Sequence, residues 1–397
     1  MLRFTTSGES HGKGLVGIIE NFPAGVTIKT TLIDEDLARR QKGYGRGGRM
    51  LIENDQVEII GGVRNELTLG SPISFFIANN DYKNWDTIMN PETCIDIEEK
   101  IVSRPRPGHA DLPAGIKYNH RDLRNVLERA SARETAARVA AGSFFKQFLG
   151  SLGIYIYSQV LGIGQIKATP GDIQGLGYKD FIKEIEKSPV RCIDKIAEEQ
   201  MLAEIKRAKQ NGESLGGFFE VGAIGVPPGL GSHISYSSRL DAKLSYLLMS
   251  IPAIKAVEIG EGILSSESYG STVHDEIYFD EKVGVYRSSN QAGGIEGGVT
   301  NGETVWARAY MKPIPTLYKP LQSVNIKSWE TETANIERSD ICAVPAAAVV
   351  GEAMLAYGLA EVLLEKFGKD TLSEILKNYN NYRNYMKRVW KWEKILY

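Results

Sequence analysis

The chain predicts an α+β fold built as one large unit or two interlocked halves, and three observations point that way. Short runs rich in β-branched and aromatic residues, bounded by Gly, Pro or Asn, alternate with longer segments of helical period. No Ser/Gly-rich or Pro-rich linker divides the 397 residues, and no fixed repeat runs through them. With 42% hydrophobic and 24% charged residues, a chain of this length buries a large core.

Taken along the chain, strand patterns cover 26–30, 57–63, 73–78, 154–161, 218–224, 256–259, 276–279 and 305–311. Helical periodicity covers 34–41, 123–149, 193–209, 240–249, 346–366 and 371–394. The 123–149 helix carries a face of alanines ending at Gly142, so another element can approach it closely. On it Arg129 and Arg133 are four apart and share a face, Ser131 and Thr135 form a second such pair, and Arg138 points elsewhere. The apolar stretch 343–364 is broken by Glu352 and Glu361 and reads as a buried helix rather than a membrane span. The last segment, with Trp390 and Trp392 among lysines, reads as an amphipathic helix packed on the body or on a neighbouring subunit.

A formal net charge of -2 gives no general attraction to nucleic acid or to an anionic membrane. Cys94, Cys192 and Cys342 lie far apart and show no metal spacing, which fits a reducing cytoplasm and no metal site. The N-terminus lacks the apolar core of a secretory signal.

Charge is instead concentrated locally. RRQKGYGRGGRM at 39–50 sets Arg39, Arg40, Arg46 and Arg49 on a loop too rich in glycine for a helix, and guanidinium forks suit oxyanions. GESHG at 8–12 compresses Glu9, Ser10 and His11 between glycines that admit close approach of a ligand. RPRPGHAD at 104–111 presents His109 on a proline-stiffened loop, two residues before Asp111. Each histidine is a candidate general acid or base. SNQAGGIEGGVTNG at 289–302 is not a Rossmann fingerprint, and GESHGKG is not a phosphate loop; the glycines of the former let backbone amides approach a flat or anionic ligand. KPIPT at 312–316 adds a cation and a hydroxyl suited to phosphate. These segments describe a site for a multiply anionic small molecule and proton transfer. A flavin-independent phosphate lyase or phosphosugar isomerase using His11 and His109 fits as well, and GYGRGGR alone is compatible with an RGG-type nucleic-acid segment.

In this order and spacing, GESHG, RRQKGYGRGGRM, RPGHAD, RASARETAARVAAG, GVPPGLG, SNQAGGIEGG and RSDICAVPAAAVVGEAML resemble the signature segments of the chorismate synthases. The resemblance covers residues 1–366 as one catalytic domain and leaves 367–397 as a C-terminal helical extension. It implies a β-α-β sandwich, a cytoplasmic homotetramer, and anti-1,4-elimination of phosphate from 5-enolpyruvylshikimate 3-phosphate to give chorismate. It also implies a requirement for reduced FMN, supplied by an external flavin reductase or, in members that reduce their own flavin, by NADPH.

Residue by residue, the resemblance implies His11 near the departing phosphate, His109 beside the flavin, and Asp340 as proton acceptor, with Ser10 and Ser131 orienting them. It implies Arg39, Arg46, Arg49, Arg106, Arg133 and Arg338 facing substrate or flavin, and Arg40 and Arg46 linked to a pyridine nucleotide. The expected FMN pocket comprises Arg129, Ala130, Ser131, Pro252, Ala253, Gly297, Lys312, Pro313, Ile314, Pro315, Thr316 and Arg338. Pro252 and Gln291 depart from the Asn and His that some members carry there.

Overall fold

Two antiparallel sheets enclose a layer of helices in the computed structural model, which describes residues 1–47, 54–92 and 97–393. The first sheet contains β1 (Arg3–Ser7), β2 (Gly14–Glu20), β3 (Glu58–Gly61) and β4 (Ile73–Ala78), in the order β1-β2-β4-β3. The second contains β5 (Tyr155–Ile163), β6 (Ile166–Lys167), β7 (Gly217–Ile224), β8 (Ile254–Ile259) and β9 (Val305–Met311), in the order β8-β9-β7-β5-β6. Alternation fixes the faces: in β4, Ile73, Phe75 and Ile77 turn into the core. Gly17 of β2 lies under the Phe75 ring, where an added Cβ would come within 2.0 Å of it.

The helices of seven or more residues begin with α1 (Thr30–Gln41), α2 (Asp111–Tyr118), α3 (Arg124–Ala130) and α4 (Thr135–Gly150). They continue with α5 (Tyr178–Lys187), α6 (Lys195–Gln210), α7 (Leu240–Met249), α8 (Val344–Phe367) and α9 (Leu372–Trp390). Helix α8 packs on α4, α1 and α7 and covers β5 and β7, while α4 covers β1 and β2, so these helices fill the space between the sheets. The alanine face acts as expected: Gly142 lies so close to Ala353 that a Cβ there would approach within 2.2 Å. Phe144, Phe145 and Phe148 are fully buried in the same layer, where truncation of one to Ala costs about 3–5 kcal/mol.

Inside this apolar layer sits a closed ion network. Glu352 of α8 is buried and receives the Arg39 fork at 2.7 and 2.8 Å, Lys146 at 2.8 Å and the Ser158 hydroxyl at 2.7 Å. Arg191 reaches it at 3.2 Å, and Asp36 and Glu186 complete three carboxylates against three cations. Glu352 therefore makes α8 a core helix despite an apolar length sufficient to cross a membrane.

Several expectations are corrected. Strands β1 and β2 were not expected, and 26–30 is not a strand: Val26 and Ile28 enter the core from an extended segment with one isolated bridge, Thr27 to Leu67. Helices α2 and α5 were also missed, and the single helix over 123–149 is broken at Ser131. Ser131 has extended backbone angles (φ -67, ψ 143) and its hydroxyl accepts the Arg133 N–H, capping a 3-10 turn before α4. Helix α9 lies on α8: its Tyr379 is buried edge-on against Phe367, and the Tyr382 hydroxyl donates to the Pro228 carbonyl at 3.1 Å. Beyond α9, Trp392 is buried against Gly302, and Lys391 O accepts the Val285 N–H at 2.9 Å, so the chain end straps the Ile277–Asp280 and Gly284–Arg287 hairpin.

Candidate active site

The GESHG segment is the connection between β1 and β2, and the break at Ser131 meets it. The Ser10 hydroxyl donates to Ser131 Oγ at 3.0 Å, and Ser10 N–H donates to the Glu128 carbonyl at 2.9 Å. His11, only 7% exposed, rests with Nδ1 2.8 Å from Glu128 Oε1, and its backbone N–H donates to Glu128 Oε2 at 2.8 Å. The Trp85 indole stacks on the imidazole at 4.0 Å, with Arg124 and Lys100 over the indole at 5.2 and 5.5 Å.

Asn79, at the end of β4, joins this loop to the arginines. Its Nδ2 donates to the carbonyls of Glu9 and Gly12, and its Oδ1 accepts Arg133 Nε at 2.7 Å. Arg133 also reaches Asp55 at 2.5 Å, and Arg40 reaches the other oxygen of Asp55 at 3.1 Å and Thr135 at 3.3 Å. Burial first, against the pull of Asp55, and then repulsion from Arg133 and Arg46 lower the Arg40 guanidinium to about 10. Among the described residues the buried Arg40 Nε has no hydrogen-bond partner. Arg46 donates to Asp340 Oδ2 at 2.6 Å, and Gly47 N–H donates to the other oxygen at 2.6 Å. Glycine is required at 47, where a Cβ would meet the Ser339 carbonyl at 2.8 Å. The described part of the glycine-arginine loop is thus docked on 339–342 and is not an open RGG strand.

His109 lies in a second cluster. Its Nδ1 is 2.5 Å from Asp111 Oδ1, and Arg106 donates to both Asp111 oxygens and, at 2.8 Å, to Thr316. Burial alone would raise the Asp111 carboxyl, but bonds from His109 and Arg106 hold it far below the usual range. Lys312 donates to the Gly108 carbonyl, and its own N–H donates to Ala253 O at 3.0 Å. Burial and then the neighbouring Lys255 lower the Lys312 ammonium. From Ala253 the rim continues through Ser250, Arg138 and Glu134 to Thr6, where the Arg129 fork holds the Thr6 and Gly8 carbonyls at 3.0 Å.

These placements alter several roles. Arg39 is removed from the expected substrate-facing set, because all three of its nitrogens are engaged by Glu186, Asp36 and Glu352 in the core network. Arg106 and Arg133 are buried organisers with every nitrogen bonded, and Arg40, 3% exposed, lies behind the site rather than at its surface. Arg129 and Arg133 do not share a face, since the break at Ser131 sends one outward and the other to Asp55. Arg338 on Asp81 and Arg129 keep open faces, with side chains 53% and 43% exposed. Arg49 lies outside the described residues. Glu128, Trp85, Asp55 and Asn79 were missed; Glu128 adjoins a quoted motif, but nothing in its spacing ties it to a histidine 117 positions away.

The profile of the chorismate synthases matches residues 2–364. The chain belongs to the chorismate synthase family. It is 61% identical over 395 residues to the chorismate synthase of Syntrophomonas wolfei subsp. wolfei, covering 100% of both chains. It is 54% identical to that of Alkaliphilus metalliredigens, covering 96% of this chain and 99% of the relative. A crystal structure of chorismate synthase superposes with a TM-score of 0.77 at 43% identity, covering 98% of each chain.

The residues that the family resemblance assigns to flavin fit a phosphorylated, flat cofactor by their donor chemistry. Lys312 and Lys255 repel one another, and among the described residues neither has a carboxylate partner. Ala253 holds a left-handed φ of 68°, which turns its carbonyl to Lys312. Gly297 faces open space. Among the described residues no hydrogen bond joins Gly297 to the Lys312 cluster.

Proposed function

We propose that this chain catalyses the anti-1,4-elimination of phosphate from 5-enolpyruvylshikimate 3-phosphate, giving chorismate, and that it requires reduced FMN. The observation that supports this most is the crowd of Arg40, Arg46 and Arg133, in which Arg133 and Arg46 repel Arg40 and Arg133 is tied to the His11 loop through Asn79. From behind the site such a crowd sets up a positive field that favours a multiply anionic substrate. His11 Nε2 faces the departing phosphate, while Arg338 provides an accessible fork for the substrate's anions. Asp340, held by Arg46 and Gly47 with a lone pair left on each oxygen, takes the ring proton as the carbon–oxygen bond to phosphate breaks and the new double bond forms. His109, oriented by Asp111 and Arg106, would sit beside the flavin edge as a hydrogen-bonding or proton-holding group. Lys312 to Thr316, Arg129, Ala130, Ser131, Pro252, Ala253, Gly297 and Arg338 would hold reduced FMN, whose electron-rich ring would lend charge transiently and recover it, with no net redox change.

The same reading makes 1–366 the catalytic unit and 367–397 its extension. Exposed Ile234, Tyr236, Tyr246 and Tyr269 support burial against other subunits, as in a homotetramer. The free, buried Cys192 and Cys342 support a reducing cytoplasm. An external reductase, or NADPH acting through this chain, renews the flavin. The test is turnover of the named substrate with chemically reduced FMN and no nicotinamide. Chorismate formation is expected; its absence with and without NADPH overturns the reading, and formation with NADPH alone assigns flavin reduction to this chain.

A further inference from the structure

Glu128 is buried, with 3% of its surface exposed; its carbonyl and both carboxylate oxygens bond residues 10 and 11, and Arg124 lies 3.5 Å from Oε1. The carbonyl takes Ser10 N–H, Oε2 takes His11 N–H, and Oε1 lies 2.8 Å from His11 Nδ1, with Oε2 at 3.1 Å from the same atom. Burial alone would raise this carboxyl, but the bonds from His11, and then Arg124, hold it below the usual range, so it is ionised at neutral pH. An ionised carboxylate only accepts, and Nδ1 must therefore carry the hydrogen. Trp85 stacks on the ring at 4.0 Å with 24° between planes and blocks its rotation. Nδ1 is thus occupied, and among the described residues Nε2 has no hydrogen-bond partner.

We infer that Glu128 is the positioning residue of His11: with Trp85 it locks the Nδ1–H arrangement and leaves Nε2 as the one ring nitrogen available to the leaving phosphate. The inference rests on the reading of His11 given above. The charged neighbours are Glu128 and Arg124 from α3, Asp81 with its partner Arg338, and Lys100 over the indole. Glutamine cannot replace Glu128, because its single oxygen would have to accept both the Nδ1–H and the backbone N–H while its amide nitrogen opposed a donor.

The first test is long-range nitrogen–proton NMR of His11 in the ligand-free protein. Wild type should show Nδ1 hydrogen-bonded to a carboxylate, and a wild-type ring with the hydrogen fixed on Nε2 overturns the inference without any variant. In Glu128→Gln the ring should populate both tautomers, and kcat should fall by about 10²-fold with KM nearly unchanged, as for a misplaced catalytic group. Trp85→Phe keeps the carboxylate and should keep the tautomer. An unchanged tautomer and unchanged kcat in Glu128→Gln overturn the inference. Inorganic phosphate added to wild type separates the two readings: it should move the Nε2 resonance, and failure there removes phosphate as the target of His11 while leaving the Glu128 lock standing or falling on the tautomer.

Discussion

Ser10 and Ser131, 121 residues apart, share one hydrogen bond of 3.0 Å, and that bond ties the β1–β2 connection to the point where the long helix breaks. Ser131 also caps the turn leading into α4. Ser131→Ala should therefore destabilise the fold by about 0.5–2 kcal/mol, as lost caps do. A cycle with Ser10→Ala measured by denaturant unfolding should be non-additive; additive losses would show that the two hydroxyls act separately.

Glu352 gives the fold an acid limit. Burial would raise its carboxyl, but Arg39 and Lys146, then Arg191, hold it well below 4.5. A depressed folded value contributes stability that is complete above the unfolded value near 4.5 and is lost as pH falls toward the folded one. Glu352→Gln should cost about 3–5 kcal/mol at pH 7, since it leaves three cations, Arg191 buried and Arg39 and Lys146 partly so, facing two carboxylates. The variant's stability should also fall less steeply with acid. Equal urea midpoints at pH 7 would contradict this.

His109→Ala should lower turnover by about 10²–10⁴-fold while far-UV dichroism and the melting temperature stay near wild type. Arg106 keeps its bonds to Asp111 and Thr316 in that variant, so the loop remains anchored. Unfolding in place of rate loss would make the histidine structural.

Trp392→Ala should loosen the chain end locally rather than melt the core. The Val285 amide, which donates to Lys391, should exchange with solvent at least tenfold faster, and the 277–287 hairpin should become the first protease site. Exchange at wild-type rates would mean that the strap contributes nothing to the hairpin.

Much of the architecture was legible where periodicity and burial agree. The strands at 73–78 and 305–311 and the helix at 240–249 fall where their patterns place them, because each presents one clean apolar face. The RFTTS strand has no such face, and the break at Ser131 depends on a partner in GESHG that no local window contains. The glycine-flanked histidines were legible as chemistry, but the fates of the arginines were not. Arg39 and Arg40 are neighbours in sequence, yet one helical step sends Arg39 to Glu352 and Arg40 to Asp55. Their charges read alike from sequence; their carboxylate partners, 313 and 15 positions away, decide which serves the core and which the site.

The Glu352 network also sets an order of events during synthesis. Arg39, Lys146 and Arg191 all leave the ribosome before α8 is made, and the third carboxylate of their network, Glu352, arrives only with that 24-residue helix. The two sheets therefore wait, with three cations facing only Asp36 and Glu186 and an open apolar seam between them, until α8 has been translated. Closure thus follows the synthesis of residues 1–343 and depends on contacts of very long sequence separation, the kind that fold slowly.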